Sequence, residues 1–161
     1  MKKVLAGVLV LMMVFAFVGC GSDESDEPEK KTSFAVGETA EVDGAKFTVT
    51  DVQYSQGDDW DKPADGMEYV IVNISIENGS DEDLDYNLLD WQMINSQGQE
   101  ESISFTIIDS DTNLGSGTLK PGGKKSGTLV FEEPKDDESL KLTYYSNVLI
   151  DDEPEFEVVI K

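Results

Sequence analysis

The chain has 161 residues, room for one domain with an appendage. It carries 34 acidic residues against 12 basic ones, all lysine, for a formal net charge of −22, with no histidine and one cysteine. This composition excludes a Ser-His or Cys-His nucleophile pair, a His-ligated metal, an internal disulfide and a thiolate zinc site, and charge of this sign repels nucleic-acid phosphates.

Residues 1–19 differ from everything after them. Lys2 and Lys3 give a positive start, and Val4 to Gly19 is an apolar run of 16 residues. That is shorter than the roughly 20 residues of a spanning helix and has the layout of a secretory signal peptide. The run closes on Phe17-Val18-Gly19-Cys20, which resembles the lipobox of bacterial lipoprotein signals, with Phe17 in place of the usual Leu. The resemblance implies cleavage before Cys20, a diacylglycerol thioether on its thiol and acylation of the new amino terminus. Two or three chains, at about 0.8 kcal/mol per buried methylene, anchor durably where one would be marginal. An ordinary thiol on an uncleaved membrane anchor and a plain secretory cut are the other readings. All of them put the body outside the cytoplasm, and lipidation puts it on the extracytoplasmic face of the cell membrane, held by the lipid alone.

Residues 20–33 follow as a lipidated Cys and a tether. GSDESDEPEKKTS, residues 21–33, contains no hydrophobic residue. Such a segment cannot repay its ordering entropy by burial and is predicted to be disordered.

From Phe34 the pattern alternates. Lys46-Phe47-Thr48-Val49-Thr50 reads as a strand. The run 68–77 places Val70, Val72, Ile74 and Ile76 on one face, with Tyr69, Ile71, Asn73 and Ser75 on the other. Leu89, Trp91 and Met93 share a face of the next predicted strand, followed by Ile103, Phe105 and Ile107. Leu129 and Phe131 come next, then Leu140, Leu142 and Tyr144, and finally Phe156, Val158 and Ile160. Alternation of this kind marks half-buried strands. Asp43-Gly44, Asp65-Gly66, Asn78-Gly79, Gln97-Gly98 and Pro121-Gly122-Gly123 punctuate the strands, and Asp43-Gly44 reads as a hairpin turn. Short helical turns fit near 84–88 and 109–114. The prediction for residues 34–161 is an all-β, antiparallel sandwich of seven to nine strands.

Several of these segments, taken in order, carry a family resemblance. They are Val36-Gly37-Glu38-Thr39, Phe47-Thr48-Val49, the run from Gly66 through Ile74 into Asn78-Gly79-Ser80, Gly117 through Gly123, and Gly127 through Pro134. Together they resemble the bacterial family catalogued as domain of unknown function 4352. Glu133 stands where that family often has Val. The resemblance implies an immunoglobulin-like fold, similar to an immunoprotective extracellular antigen, on secreted proteins and lipoproteins, and it implies no established activity.

Candidate chemistry is sparse. With 34 carboxylates, some pair always meets the spacing of a glycosidase, so that signal is not specific. Ser126 beside Lys124 and Lys125 lacks any surrounding motif. Asp109, Asp111 and Asn113 have the Asp-x-Asp-x-Asn spacing of a calcium loop. Leu114 and Lys120 then stand where such a loop wants Gly and Glu. The clusters Asp58-Asp59-Asp61-Asp65 and Asp151-Asp152-Glu153 read as solvated acidic loops, with weak, non-specific divalent-ion binding as the alternative for all three acidic segments. Trp60, set among acids, is a candidate ligand contact, and so is Tyr145, expected to be exposed because Tyr144 takes the opposite face. Trp91 is expected in the core.

The expectation is a non-enzymatic, lipid-anchored surface module without a cofactor. It binds an envelope protein or polymer and does not bind nucleic acid. Two rivals stand beside it: a calcium-dependent accessory module and a small carboxylate-based hydrolase of envelope polymers.

Overall fold

A computed structural model describes residues 30–161. The signal segment, Cys20 and residues 21–29 of the tether lie outside the described residues. Eleven strands follow in order: β1 (Ser33–Ala35), β2 (Thr39–Val42), β3 (Ala45–Ser55), β4 (Met67–Asn78), β5 (Leu84–Asn87), β6 (Trp91–Ile94), β7 (Glu100–Ser102), β8 (Ser116–Leu119), β9 (Lys124–Pro134), β10 (Lys141–Tyr144) and β11 (Phe156–Val159). They form a five-stranded sheet, β1-β11-β10-β6-β7, and a four-stranded sheet, β2-β3-β4-β9, with β5 and β8 paired separately. The count exceeds seven to nine because several elements, such as β1 and β7, are only three residues long.

The two large sheets enclose one core. Val70, Val72, Ile74 and Ile76 of β4, with Phe47 and Val49 of β3 and Leu129 and Phe131 of β9, face Trp91, Met93, Leu142, Tyr144, Phe156 and Val158 of the other sheet. Its centre is aromatic. Phe47 lies 4.5 Å from Tyr144 and 5.9 Å from Trp91 between ring centroids, and Tyr144 stacks on Phe156 at 5.3 Å. Packed pairs of this kind add roughly 0.5–1.5 kcal/mol beyond area burial.

The Asp43-Gly44 hairpin forms as predicted. Val42 pairs with Ala45, and the two turn residues take φ of 49° and 80°. Both positive values belong to the type I′ turn that matches strand twist. β3 pairs with β4 through a register shift between Val49 and Asp51, a bulge at Thr50 that increases local twist.

Three expectations change. Ser33, assigned to the tether, lies in β1, which runs parallel to β11, and the Glu157 N–H donates to the Thr32 carbonyl. Backbone pairing at a sheet edge needs no apolar side chain, and a Lys31–Glu38 ion pair at 2.8 Å adds to it. Leu89 sits in a 3-10 turn, Leu88–Asp90, capped by the Asn87 side chain, and is exposed instead of sharing the core face of Trp91. Of the alternating Ile103, Phe105 and Ile107, only Ile103 is buried. The segment 103–114 is a loop laid along the outer edge of β9, where the Ser104 N–H donates to the Val130 carbonyl and the Leu114 N–H to that of Thr128. It covers an 11-residue edge strand that would otherwise offer its backbone for pairing with another chain.

A cleft between two stapled loops

The loop between β3 and β4 is built on a tight turn. The Asp58 carboxylate accepts from the N–H groups of Trp60 (2.7 Å) and Asp61 (2.9 Å), and the Asp58 N–H donates to the Asp61 carbonyl. This side-chain-closed turn points the Trp60 indole outward, 90% exposed.

Asp61 joins that turn to the loop along β9. Its carboxylate accepts from the Thr106 hydroxyl, from the Ile107 N–H at 2.7 Å and from the Tyr69 hydroxyl at 2.7 Å. These donors, Thr106 first, hold its pKa below the usual carboxylate value. Tyr69 is buried with Ile71 and Val130 in a small second cluster on the outer face of the sheet, covered by Ile108. The outward Tyr69 and Ile71 of β4 are therefore not solvated, whereas Asn73, Ser75 and Glu77 further along the same face stay partly exposed. Tyr69 and Ile71 seat the loop that carries Phe105 and Ile107.

Between the two loops lies a cleft of about 520 Å³, with Trp60, Phe105, Ile107, Leu88 and Ile103 among its walls. Phe105 is 90% and Ile107 62% exposed. A second cleft, about 530 Å³, lies on the other side of the Leu88–Asp90 turn and includes Tyr86, Leu89 and Leu149. Leu149 and Ile150 are also strongly exposed. Leu88 faces one cleft and Leu89 the other, so the turn links two apolar depressions.

Asp90 lines the second cleft, and partial burial pushes its pKa up to about 6.

Of the residues singled out from the sequence, Trp60 stands in a cleft wall. Tyr145 does not, and the expectation that it is exposed is corrected. It is 7% exposed, and its hydroxyl donates to Glu100 of β7 at 2.6 Å. Tyr144 takes the core face as expected, and the Tyr145 hydroxyl is tied to a residue two strands away in the sheet. Burial, with that hydrogen bond, raises its pKa to about 12.

Asp109, Asp111 and Asn113 lie on an exposed 3-10 turn, Ser110–Thr112. The Asn113 side-chain oxygen accepts from the Gly115 N–H, and the Asp109 carbonyl from Thr112. Among the described residues no three His, Cys, Asp or Glu side chains form a metal-holding group. The carboxylates of the 58–65 loop diverge: Asp58 closes the turn, Asp59 meets Lys62 at 3.8 Å, and Asp61 turns to the β9 loop. Asp151 accepts from the Asn147 N–H. Lys124 pairs with Glu77 at 2.8 Å, away from Ser126, whose hydroxyl faces Ser75.

Glu133 was visible in the sequence only as a departure from a family pattern. It is 0% exposed, directly opposite Glu68 across β4 and β9. One carboxyl oxygen accepts from the Asn95 amide at 3.2 Å, and the other has no partner. Burial raises its pKa to about 7, with Glu101 and Asp137 adding to the effect.

Comparison with known proteins agrees with this architecture. The family described as Domain of unknown function (DUF4352) matches residues 34–155. The fold is similar to that of the yjhA protein of Bacillus subtilis, at TM-score 0.60 and 21% identity over 80% of this chain and 99% of that one. It is also similar to a Bacillus subtilis lipoprotein candidate, ycdA, at TM-score 0.61 and 21% identity over 75% of this chain and 38% of that one. An uncharacterized beta-sandwich protein from Clostridium difficile 630 aligns at TM-score 0.52 and 17% identity, over 84% of this chain and 97% of that one. No curated protein sequence matches significantly. The chain belongs to the DUF4352 family and has its β-sandwich fold.

Proposed function

We propose that the chain is a lipid-anchored, extracytoplasmic binding module without catalytic activity, and that its ligand seats on Trp60, Phe105 and Ile107. The observation that carries this reading is their joint exposure on loops held in place by the Asp61 carboxylate. Large apolar side chains grouped in a depression and left to water are the mark of an interaction site. Holding them on fixed loops lowers the ordering cost of binding. The lipobox-like end at Cys20 supports the anchor, and the fold shared with a lipoprotein candidate is in keeping with it.

Two experiments test this. Mass spectrometry of the mature protein is expected to find diacylglycerol on an amino-terminal Cys20, and Cys20→Ala is expected to shed the protein into the medium. Retention of residues 1–19 with a free thiol rejects the anchor. Proximity labelling on intact cells is expected to mark neighbours of the wild type that a Trp60→Ala, Phe105→Ala double variant no longer marks. An unchanged set rejects the cleft.

A further inference from the structure

The two clefts beside the Leu88–Asp90 turn have walls of one chemical character. Each mixes large apolar side chains with polar ones, and every charged residue lining them is an acid: Asp61 in the first, Asp85 and Asp90 in the second. Asp58 and Asp59 precede Trp60, and Asp109 and Asp111 follow Ile107 in the chain, all four exposed. Lys62, the lysine nearest Trp60 in sequence, is paired with Asp59. The hydrogen bonds on Asp61 hold it in the charged form. An aromatic–aliphatic surface inside this field, on a chain of net charge −22, is complementary to a ligand that is both apolar and cationic.

We infer that the partner is a cationic amphipathic polypeptide segment, with apolar side chains seated on Trp60, Phe105, Leu88 and Leu89 and lysine or arginine groups set against the acidic rims. The inference rests on the reading of the Trp60–Phe105 cleft as the ligand site and names the class of partner it takes. An anionic membrane surface fits worse, because the same acids repel its headgroups. A neutral glycan would use the aromatic wall but leave the rim carboxylates without opposite charge. The long-range attraction sets the encounter rate and its salt dependence, and burial of the aromatic anchors sets the lifetime of the complex.

The two tryptophans make the test direct, since Trp91 is buried and Trp60 is exposed. The full chain is reconstituted in zwitterionic phosphatidylcholine vesicles and titrated with a short alternating Lys–Leu peptide. A Glu–Leu peptide of equal length, a Lys–Ser peptide and a soluble neutral oligosaccharide are the comparisons. The expected result is a blue shift of Trp60 emission with Lys–Leu, absent in Trp60→Phe. Its affinity is expected to fall about tenfold between low salt and 0.5 M sodium chloride, and about tenfold in Phe105→Ala. Equal binding of the Lys–Leu and Glu–Leu peptides, or a shift with the oligosaccharide alone, leaves the cleft standing and overturns the cationic partner. A shift on adding phosphatidylglycerol to the vesicles, with no peptide present, overturns it in favour of the membrane. No response of Trp60 to any probe overturns both the partner and the cleft.

Discussion

Gly127 of β9 lies directly beneath Leu114. A Cβ at position 127 would stand 2.5 Å from the Leu114 Cα and 2.8 Å from its nitrogen. Leu114 is buried, and its N–H donates to the Thr128 carbonyl, so this close approach seats one end of the loop carrying Phe105 and Ile107. Gly127→Ala is expected to lift that end. Overpacking of this kind costs about 1–3 kcal/mol, read as a lower denaturant midpoint, with faster hydrogen exchange at Leu114 than at the centre of β4. Unchanged exchange at Leu114 would show that the contact does not seat the loop.

Asp61→Asn removes the charge and one acceptor oxygen from a group that serves three donors. The expected outcome is local: faster exchange at Ile107 and a changed Trp60 emission, with the aromatic core intact by near-ultraviolet circular dichroism. Asp59→Asn, which alters an exposed neighbour, is the control. Because the folded pKa of Asp61 lies below its ordinary value, its contribution is present above that ordinary value and is lost only as pH falls through the lower one. Exchange at the Ile107 N–H, which donates to Asp61, is thus expected to stay protected from neutral pH down through the usual carboxylate range.

Glu133 produces the opposite pH dependence. Its pKa rises from 4.5 to about 7 on folding. Between those values the native state binds more protons than the unfolded chain, so stability falls as pH rises through this window. The groups facing it are Glu68 on β4, Asn95 after β6, Glu101 on β7 and Asp137 after β9, and none supplies a positive charge. The offset corresponds to about 3 kcal/mol, and Asp90, raised to about 6, acts in the same direction. Unfolding is expected to require more denaturant at pH 5 than at pH 8. Glu133→Gln is expected to flatten most of that slope, and Glu133→Val to stabilise the protein at pH 8. A slope unchanged in Glu133→Gln would assign the pH dependence elsewhere.

Charge repulsion predicts that the melting temperature rises with sodium chloride, since screening acts over about 10 Å at 0.1 M. Calcium and magnesium at equal ionic strength are expected to give equal shifts, because the Asn113 side-chain oxygen is engaged by the Gly115 N–H and the Asp109 carbonyl by Thr112. A larger calcium shift, abolished by Asp111→Asn, would establish an ion site there.

The periodicity of the apolar residues made the inner faces of β4, β9, β10 and β11 legible, because burial on one face imposes a period of two. Asp43-Gly44 was legible because few residue pairs tolerate two positive φ values in succession. The segment Ile103-Ser104-Phe105-Thr106-Ile107 misled, since it alternates like a strand while its backbone meets β9 at a single residue and Thr106 turns to Asp61. That bond joins residues 45 positions apart, and no local pattern encodes it. Tyr145 misled for the same reason, its hydroxyl reaching Glu100, also 45 positions away. Trp60 was found as an aromatic among acids, but its neighbours Phe105 and Ile107 emerge only when the two loops are brought together.

Site-specific photo-crosslinking on intact cells tests the binding account most directly. A photoreactive phenylalanine analogue replaces Phe105 in one variant and exposed Lys46 of β3, outside both clefts, in another. The account predicts a discrete adduct from position 105, lost on adding Trp60→Ala, and none from position 46. Equal adducts from both positions, or none from 105 while the anchored protein is present at the surface, would contradict it.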